Sequence, residues 1–175
     1  DNEACLRLPG IDGKAKMSKS LGNCIYLAED PKDIKKKVMS MFTDPNHIRI
    51  EDPGSLEGKT VFTYLDAFCN DQHFEEYLPD YKNLDELKEH YQRGGLGDVK
   101  VKKFLNNVLQ EELEQIRKRR EELQKYIPYV YEVLKKGSEV ARETAAQTLH
   151  EVRDAMKINY FDDMELIRSQ AKKYE

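Results

Sequence analysis

Apolar residues recur every three or four positions between residues 98 and 124, and neither glycine nor proline interrupts that stretch. This spacing places the apolar side chains on one side of an α-helix, and Asp98 at its start is a good helix cap. This is the longest helix that the sequence predicts, and its apolar side must pack against other elements. The apolar positions are Val101, Phe104, Leu105, Val108, Leu109, Ile116 and Leu123.

Shorter helices are predicted on both sides of this long one. Asp30 is a good N-cap with Pro31 at the first helical position, and Gly137 with Ser138 separates two helices near the end of the chain. Strand signals are weak, so we predict an all-α fold, an irregular bundle of about seven helices. The expected shorter helices cover residues 31–42, 60–69, 71–77, 83–94, 128–136 and 138–157, with a last one starting at Asp162.

Composition excludes several classes of protein. The chain has 175 residues, of which 35% are charged and 39% hydrophobic, and no apolar run approaches the ~20 residues of a membrane span. Three scattered cysteines predict neither a disulfide framework nor a zinc site, which favours a cytoplasmic protein. A net charge of -4 argues against a uniformly basic nucleic-acid coat. The chain begins with Asp1, which suggests a piece of a longer protein.

Residues 16–20 read Lys-Met-Ser-Lys-Ser, and glycines stand on both sides of them at positions 10, 13 and 22. Two ammonium groups three residues apart, with hydroxyls beside them, are suited to binding phosphate. Flanking glycines let such a loop close over a ligand and reopen. The plainest alternative is a solvated surface loop. The candidate phosphate-binding residues are Lys16, Met17, Ser18, Lys19 and Ser20, with Met17 as an apolar anchor.

This pentapeptide is the signature of class I aminoacyl-tRNA synthetases, and later stretches resemble one branch of that family. The chain from Leu6 to about residue 171 resembles the C-terminal half of a bacterial-type tryptophanyl-tRNA synthetase. The resemblance implies that residues 1–29 end the catalytic nucleotide-binding fold and that residues 30–175 form a helical C-terminal domain. The matching stretches are residues 16–27, 30–42, 43–45, 61–65, 97–100 and 117–123.

The resemblance implies a two-step reaction, in which tryptophan and ATP form an adenylate and the aminoacyl group then passes to tRNA. Lys16 and Lys19 would be catalytic, because negative charge grows on the departing pyrophosphate. Magnesium would accompany ATP as its counter-ion, and the parent protein would be a homodimer. The second signature of the class, a His-x-Gly-His-type motif, is absent, and the tryptophan pocket is expected elsewhere. This chain alone is therefore predicted to be inactive.

The helical part is expected to contact the tRNA anticodon in this family. The start of the long helix offers Asp98, Lys100 and Lys103, because a helix N-terminus with lysines suits phosphates and base edges. Lysines that merely solvate the helix are an equally good account. Three tyrosines could stack on bases, although packing in the core is the preferred interpretation for them: Tyr126, Tyr129 and Tyr131.

Two other hypotheses remain open from the sequence. A tyrosyl or methionyl synthetase would share the pentapeptide, although the stretch at residues 97–100 and the compact tail favour the tryptophanyl enzyme. A non-catalytic helical interaction module with a chance match belongs to a different class altogether. The effect of ATP on the intact parent protein would separate these hypotheses.

Overall fold

A computed structural model describes residues 7–43, 47–161 and 163–174 of the chain. The described residues form helices and no strand, and the one pairing of extended backbone is an isolated bridge between Pro9 and Lys16. The predicted all-α fold is therefore confirmed. The helices are α1 (Pro31–Met39), α2 (Thr60–Phe68), α3 (Asp71–Tyr77), α4 (Leu84–Arg93), α5 (Asp98–Gln124), α6 (Ile127–Ala155) and α7 (Met164–Ala171).

The chain divides into two compact units, Asp1–Glu122 and Leu123–Glu175. The first contains the pentapeptide and four complete helices with most of α5, and the second contains α6 and α7. The boundary predicted between residues 29 and 30 stays a prediction. Among the described residues, no helix is both long and apolar enough to cross a membrane.

The core of the first unit forms where five helices bring their apolar sides together. The side chains from α5 lie at its centre, because the predicted stripe is fully buried from Val101 to Leu109. Burial of aliphatic and aromatic side chains of this size supplies the main favourable term in folding. The most deeply buried apolar residues include Ile34, Val38, Val61, Tyr64, Leu65, Phe74, Leu87, Tyr91, Val101 and Leu105.

Local signals place the helix ends of the first unit well. The Asp30 side chain accepts a hydrogen bond of 2.8 Å from the Lys32 N–H and opens α1, as predicted. Gly94 ends α4 with a φ of 87°, a backbone conformation that glycine adopts without steric cost. The predicted stop at Asp44-Pro45 and the predicted start at Asp162 lie outside the described residues.

Three predictions about the later helices are wrong. Gly137 does not divide two helices, since α6 runs unbroken from Ile127 to Ala155. A glycine inside a helix costs only about 1 kcal/mol relative to alanine, less than breaking the backbone hydrogen bonds on both sides of it. The buried stripe of α5 also ends at Leu113, because Ile116 is 41% exposed. Finally, Tyr126, Tyr129 and Tyr131 are exposed and do not pack in a core.

Candidate functional site

The pentapeptide lies in a closed loop, residues 10–23, which we call the signature loop. Two backbone hydrogen bonds close its base, from Gly10 N–H to the Ala15 carbonyl at 2.7 Å and from Ile11 N–H to the Asn23 carbonyl at 2.9 Å. Gly13 and Gly22, which the sequence suggested as hinges, have φ angles of 67° and 66°. Side-chain-bearing residues rarely adopt that conformation, so the turns of this loop require glycine.

The two lysines of the pentapeptide project from this loop without partners. Lys16 and Lys19 are exposed, and neither ammonium group has a hydrogen-bond or ion-pair partner among the described residues. The Ser18 and Ser20 hydroxyls lie 2.8 Å apart. Met17 is half-buried and packs against the core of the first unit. The loop therefore presents two hydroxyls, and two cations that are unpaired within the described part of the chain, on an anchored backbone.

The signature loop is attached to the helices around it. The Tyr64 hydroxyl, on α2, donates a 2.7 Å hydrogen bond to the Pro9 carbonyl, and burial raises the pKa of Tyr64 to about 12. The Phe42 N–H, just after α1, donates to the Ile11 carbonyl at 3.4 Å. Lys37, on α1, donates to the Cys24 carbonyl at 2.7 Å. The base of the loop thus has a fixed place relative to α1 and α2.

Asn23 is a member of this loop that sequence reasoning missed. It is 4% exposed, and its side-chain oxygen accepts a 2.8 Å hydrogen bond from the Ser18 N–H. Its amide nitrogen donates to the Asp12 carboxylate at 3.2 Å and to the Lys16 carbonyl at 3.4 Å. The only local signal is an asparagine five residues after Ser18, and asparagine is common in any exposed turn.

The start of α5 is built differently, around a buried polar cluster. Asp98 accepts a hydrogen bond of 2.9 Å from the Tyr91 hydroxyl and lies 2.9 Å from His47 Nδ1. The Lys59 ammonium lies 2.8 Å from the Tyr91 hydroxyl and 3.5 Å from the Asp98 carboxylate. His47 and Lys59 are buried, and His47 Nε2 has no hydrogen-bond partner among the described residues. The Asp98 carboxylate thus belongs to a buried polar network.

The lysines that follow Asp98 differ from one another. Lys100 donates a 2.9 Å hydrogen bond to Asp80, which raises the pKa of Lys100, and its ammonium lies 5.4 Å from the centre of the Tyr81 ring. Lys102 is buried, which lowers its pKa, and it donates to the Met41 carbonyl at 2.5 Å. Lys103 is exposed and has no partner among the described residues.

A cleft of about 560 Å³ opens beside these residues. Lys100 and Lys103 lie on its wall, as do the exposed apolar side chains of Ile48, Ile50 and Val99. Cations beside apolar surface suit an anionic ligand that also carries flat or apolar groups.

None of the four histidines lies in the signature loop. His47 and His73 are buried, His90 is partly buried against Tyr81, and His150 is exposed. The described residues hold no group of three or more His, Cys, Asp or Glu side chains placed to bind a metal ion.

Comparison with known proteins identifies the family. Residues 6–114 match the model of the tRNA synthetases class I (W and Y). The chain is 63% identical over 158 residues to the tryptophan–tRNA ligase of Clostridium longisporum. That alignment covers 90% of this chain and 44% of that enzyme. The tryptophan–tRNA ligase of Streptococcus mutans is 57% identical over 160 residues, 91% of this chain and 45% of that enzyme. The chain therefore spans less than half of these relatives.

Solved structures agree with the sequence relatives. The tryptophanyl-tRNA synthetase of Campylobacter jejuni, complexed with ADP and tryptophan, aligns with a TM-score of 0.67 at 28% identity. The alignment covers 89% of this chain and 45% of that one. The tryptophan-specific relatives favour the tryptophanyl hypothesis over the tyrosyl and methionyl ones, and the match argues against a chance pentapeptide. This chain belongs to the class I tRNA synthetases, in the family of the tryptophan and tyrosine enzymes.

Proposed function

We propose that this chain is the part of a tryptophan–tRNA ligase that holds the phosphates of ATP during adenylate formation. The observation that carries the proposal is the pair of exposed lysines, Lys16 and Lys19, on an anchored loop. Neither has a carboxylate partner among the described residues, so both are available to an anionic ligand. The Campylobacter relative was solved with ADP and tryptophan, which supports a nucleotide as that ligand.

The two lysines act on charge that appears during the first chemical step. When the tryptophan carboxylate attacks the α-phosphorus of ATP, negative charge grows on the departing pyrophosphate. An ammonium group held near those oxygens stabilises the transition state more than the ground state, which raises the rate. Ser18 and Ser20 add hydroxyl donors. Magnesium is proposed to accompany ATP as the counter-ion of its phosphates.

We further propose that the chain alone does not catalyse the reaction. The tryptophan pocket and the second class signature belong to the rest of the parent protein, which is proposed to be a cytoplasmic homodimer. The test is exchange of pyrophosphate into ATP with tryptophan, measured on the purified 175-residue chain. Measurable exchange by this chain would contradict this part of the proposal.

The start of α5 is proposed to contact the anticodon region of the tryptophan tRNA. Lys100 and Lys103 stand on the cleft wall beside exposed isoleucines, a surface that suits a phosphate backbone with unstacked bases. Asp98 was predicted as a contact too, and in the structure its carboxylate faces the buried cluster. Its role in this proposal is to hold the start of α5 in place.

Lys19→Ala in the full-length enzyme tests the central assignment. Removing one preorganised charge donor typically slows a reaction by roughly 10²–10³-fold. Tryptophan affinity should remain unchanged, since the ammonium acts on charge that appears only in the transition state. The readout is single-turnover formation of the adenylate.

Lys14→Ala is the matched control for this experiment. Lys14 is an exposed lysine of the same loop and lies outside the pentapeptide. Both variants remove one positive charge from one loop, and only Lys19→Ala should slow the first step. If Lys19→Ala forms the adenylate as fast as Lys14→Ala does, the signature loop is only a surface loop.

A further inference from the structure

Asn23 lies inside the signature loop and contacts the backbone between the two lysines. Its side-chain oxygen accepts the Ser18 N–H, and its nitrogen donates to the Lys16 carbonyl. We infer that Asn23 is the positioning residue of the loop: its amide fixes the backbone from Lys16 to Ser18 and so sets where both ammonium groups meet the ATP phosphates. This inference rests on the function proposed above.

The surroundings of Asn23 admit one orientation of its amide. The oxygen faces the Ser18 N–H, a donor, while the nitrogen faces two acceptors, the Asp12 carboxylate and the Lys16 carbonyl. Turning the amide over would set its donor against a donor and its acceptor against two acceptors. Asp12 therefore orients Asn23, and Asn23 in turn orients the pentapeptide.

Gly10 provides the space that this arrangement needs. A Cβ atom at Gly10 would lie 2.1 Å from the Asn23 nitrogen and 2.5 Å from its Cγ, closer than any real contact. The φ of Gly10 is not among the positive values, so the requirement is one of space alone. The Asn23 side chain therefore fits beside the loop base only because residue 10 is glycine.

Backbone hydrogen bonds close the loop, whereas the Asn23 side chain fixes the conformation of the pentapeptide within it. The bonds at the base, from Gly10 to Ala15 and from Ile11 to the Asn23 carbonyl, are backbone to backbone and survive loss of the Asn23 side chain. The segment from Lys16 to Ser18 would keep its bridge to Pro9 and the packing of Met17, and would lose the two hydrogen bonds from the Asn23 amide. Misplacement of a reacting group by about 1 Å can cost roughly 100-fold in rate.

Asn23→Ala in the full-length enzyme is the direct test. We expect adenylate formation to slow roughly 10- to 100-fold through the misplaced lysines. The KM for tryptophan, and transfer from preformed adenylate to tRNA, should stay unchanged. Asn83→Ala is the matched control, because Asn83 accepts a comparable bond from the Glu86 N–H at 3.0 Å far along the chain, at the start of α4. That variant should keep the rate of adenylate formation.

A double-mutant cycle shows whether Asn23 acts through the lysines. In a Lys19→Ala background, Asn23→Ala should slow the first step by a clearly smaller factor than in the wild type, because part of what it positions is gone. Independent, multiplicative effects would mean that Asn23 is only a structural residue, and the inference would be wrong.

Swapping the amide of Asn23 with the carboxylate of Asp12 gives a second test, which does not require that the alanine variant folds. Asn23→Asp keeps the acceptor for Ser18 and places a carboxylate oxygen against Asp12, so adenylate formation should fall at least as far as with alanine. Adding Asp12→Asn restores a donor opposite that oxygen and should recover part of the lost rate, because the hydrogen bond to the Lys16 carbonyl is still missing. Absence of recovery would overturn the orientation argued above.

The outcomes separate this inference from the function on which it rests. If Lys19→Ala slows the first step and Asn23→Ala does not, the function stands and the positioning role is wrong. If neither variant slows it, the proposed function is wrong. If Asn23→Ala impairs tryptophan binding and tRNA transfer as much as adenylate formation, Asn23 merely supports the fold.

Discussion

The signature loop and the start of α5 both bring lysines together, but they surround the ammonium groups differently. In the loop, Lys16 and Lys19 project into solvent with no partner among the described residues. In α5, Lys102 is buried and Lys100 is paired with Asp80, while Lys59, which precedes α2, is buried beside Asp98. Burying a cation is unfavourable unless it is paired or hydrogen-bonded, so Lys59 and Lys102 are occupied in stabilising the fold. Lys103, by contrast, is exposed and has no partner among the described residues.

This difference changes how each region can act on a ligand. An unpartnered ammonium group can bind phosphate without first giving up another interaction. A paired one must exchange or share its carboxylate, which reduces the net gain. The number of lysines in a region therefore predicts a binding surface poorly. Whether a lysine can bind a phosphate depends on the partners that it already has.

The largest effect should come from removing Asp98, which would show that the start of α5 is a structural centre. Asp98→Ala leaves the buried Lys59 ammonium without its carboxylate, and breaking one partner of a buried pair typically costs about 3–5 kcal/mol. Urea denaturation of the 175-residue chain, followed by circular dichroism, measures the free energy of unfolding.

Asp80→Ala is the control for that measurement. It removes an exposed carboxylate from its pair with Lys100, and exposed pairs contribute less than about 1 kcal/mol. Equal losses for the two variants would contradict the contrast between a buried cluster and an open surface.

Local features of the fold could be predicted from sequence, and long-range ones could not. Asp30 before Pro31 and Gly94 after α4 act within one helical turn, so the residues themselves reveal the helix ends. The contact from His47 to Asp98 joins residues 51 positions apart, and no residue pattern near either one predicts it. Asp98 was therefore predicted as a ligand contact although its carboxylate serves the buried cluster.

The candidate site shows the same division. The pentapeptide is recognisable because its order of residues is specific, and the positions of Lys16 and Lys19 follow directly from it. Asn23 is not recognisable, because its importance arises from burial beside Gly10 and from the fold of the loop. Tyr126 illustrates the opposite error, since an aromatic residue suggests a core and here is 64% exposed.

An effect of intermediate size is expected on tRNA binding, whose salt dependence should change more when Lys103 is removed than when Lys100 is removed. Lys103 has no partner among the described residues and should contribute one full phosphate contact, so Lys103→Ala should reduce the salt slope of tRNA binding by about 1. Lys100 shares its charge with Asp80, so Lys100→Ala should reduce the slope by less and leave adenylate formation intact. The measurement is the tRNA dissociation constant of the full-length enzyme between about 50 and about 200 mM salt.

Asp80→Ala sharpens this comparison from the other side. Removing the carboxylate frees the Lys100 ammonium and should strengthen tRNA binding. If Asp80→Ala weakens binding, or if the two lysine variants have identical salt slopes, pairing with Asp80 does not limit Lys100.

The smallest effect concerns Tyr64, which fixes the base of the open loop to the buried core of the first unit. Tyr64→Phe removes the hydrogen bond to the Pro9 carbonyl and should lower the free energy of unfolding by about 1 kcal/mol near neutral pH. Burial raises the pKa of this phenol from 10.0 to about 12 in the folded chain. Its stabilising contribution is therefore fully present below pH 10 and is lost as the pH rises toward 12, because the unfolded phenol ionises first. Urea denaturation of both proteins from neutral pH to above pH 10 should show the wild-type advantage shrinking and then reversing. An advantage that stays constant across that range would mean that folding does not raise the pKa of the Tyr64 phenol.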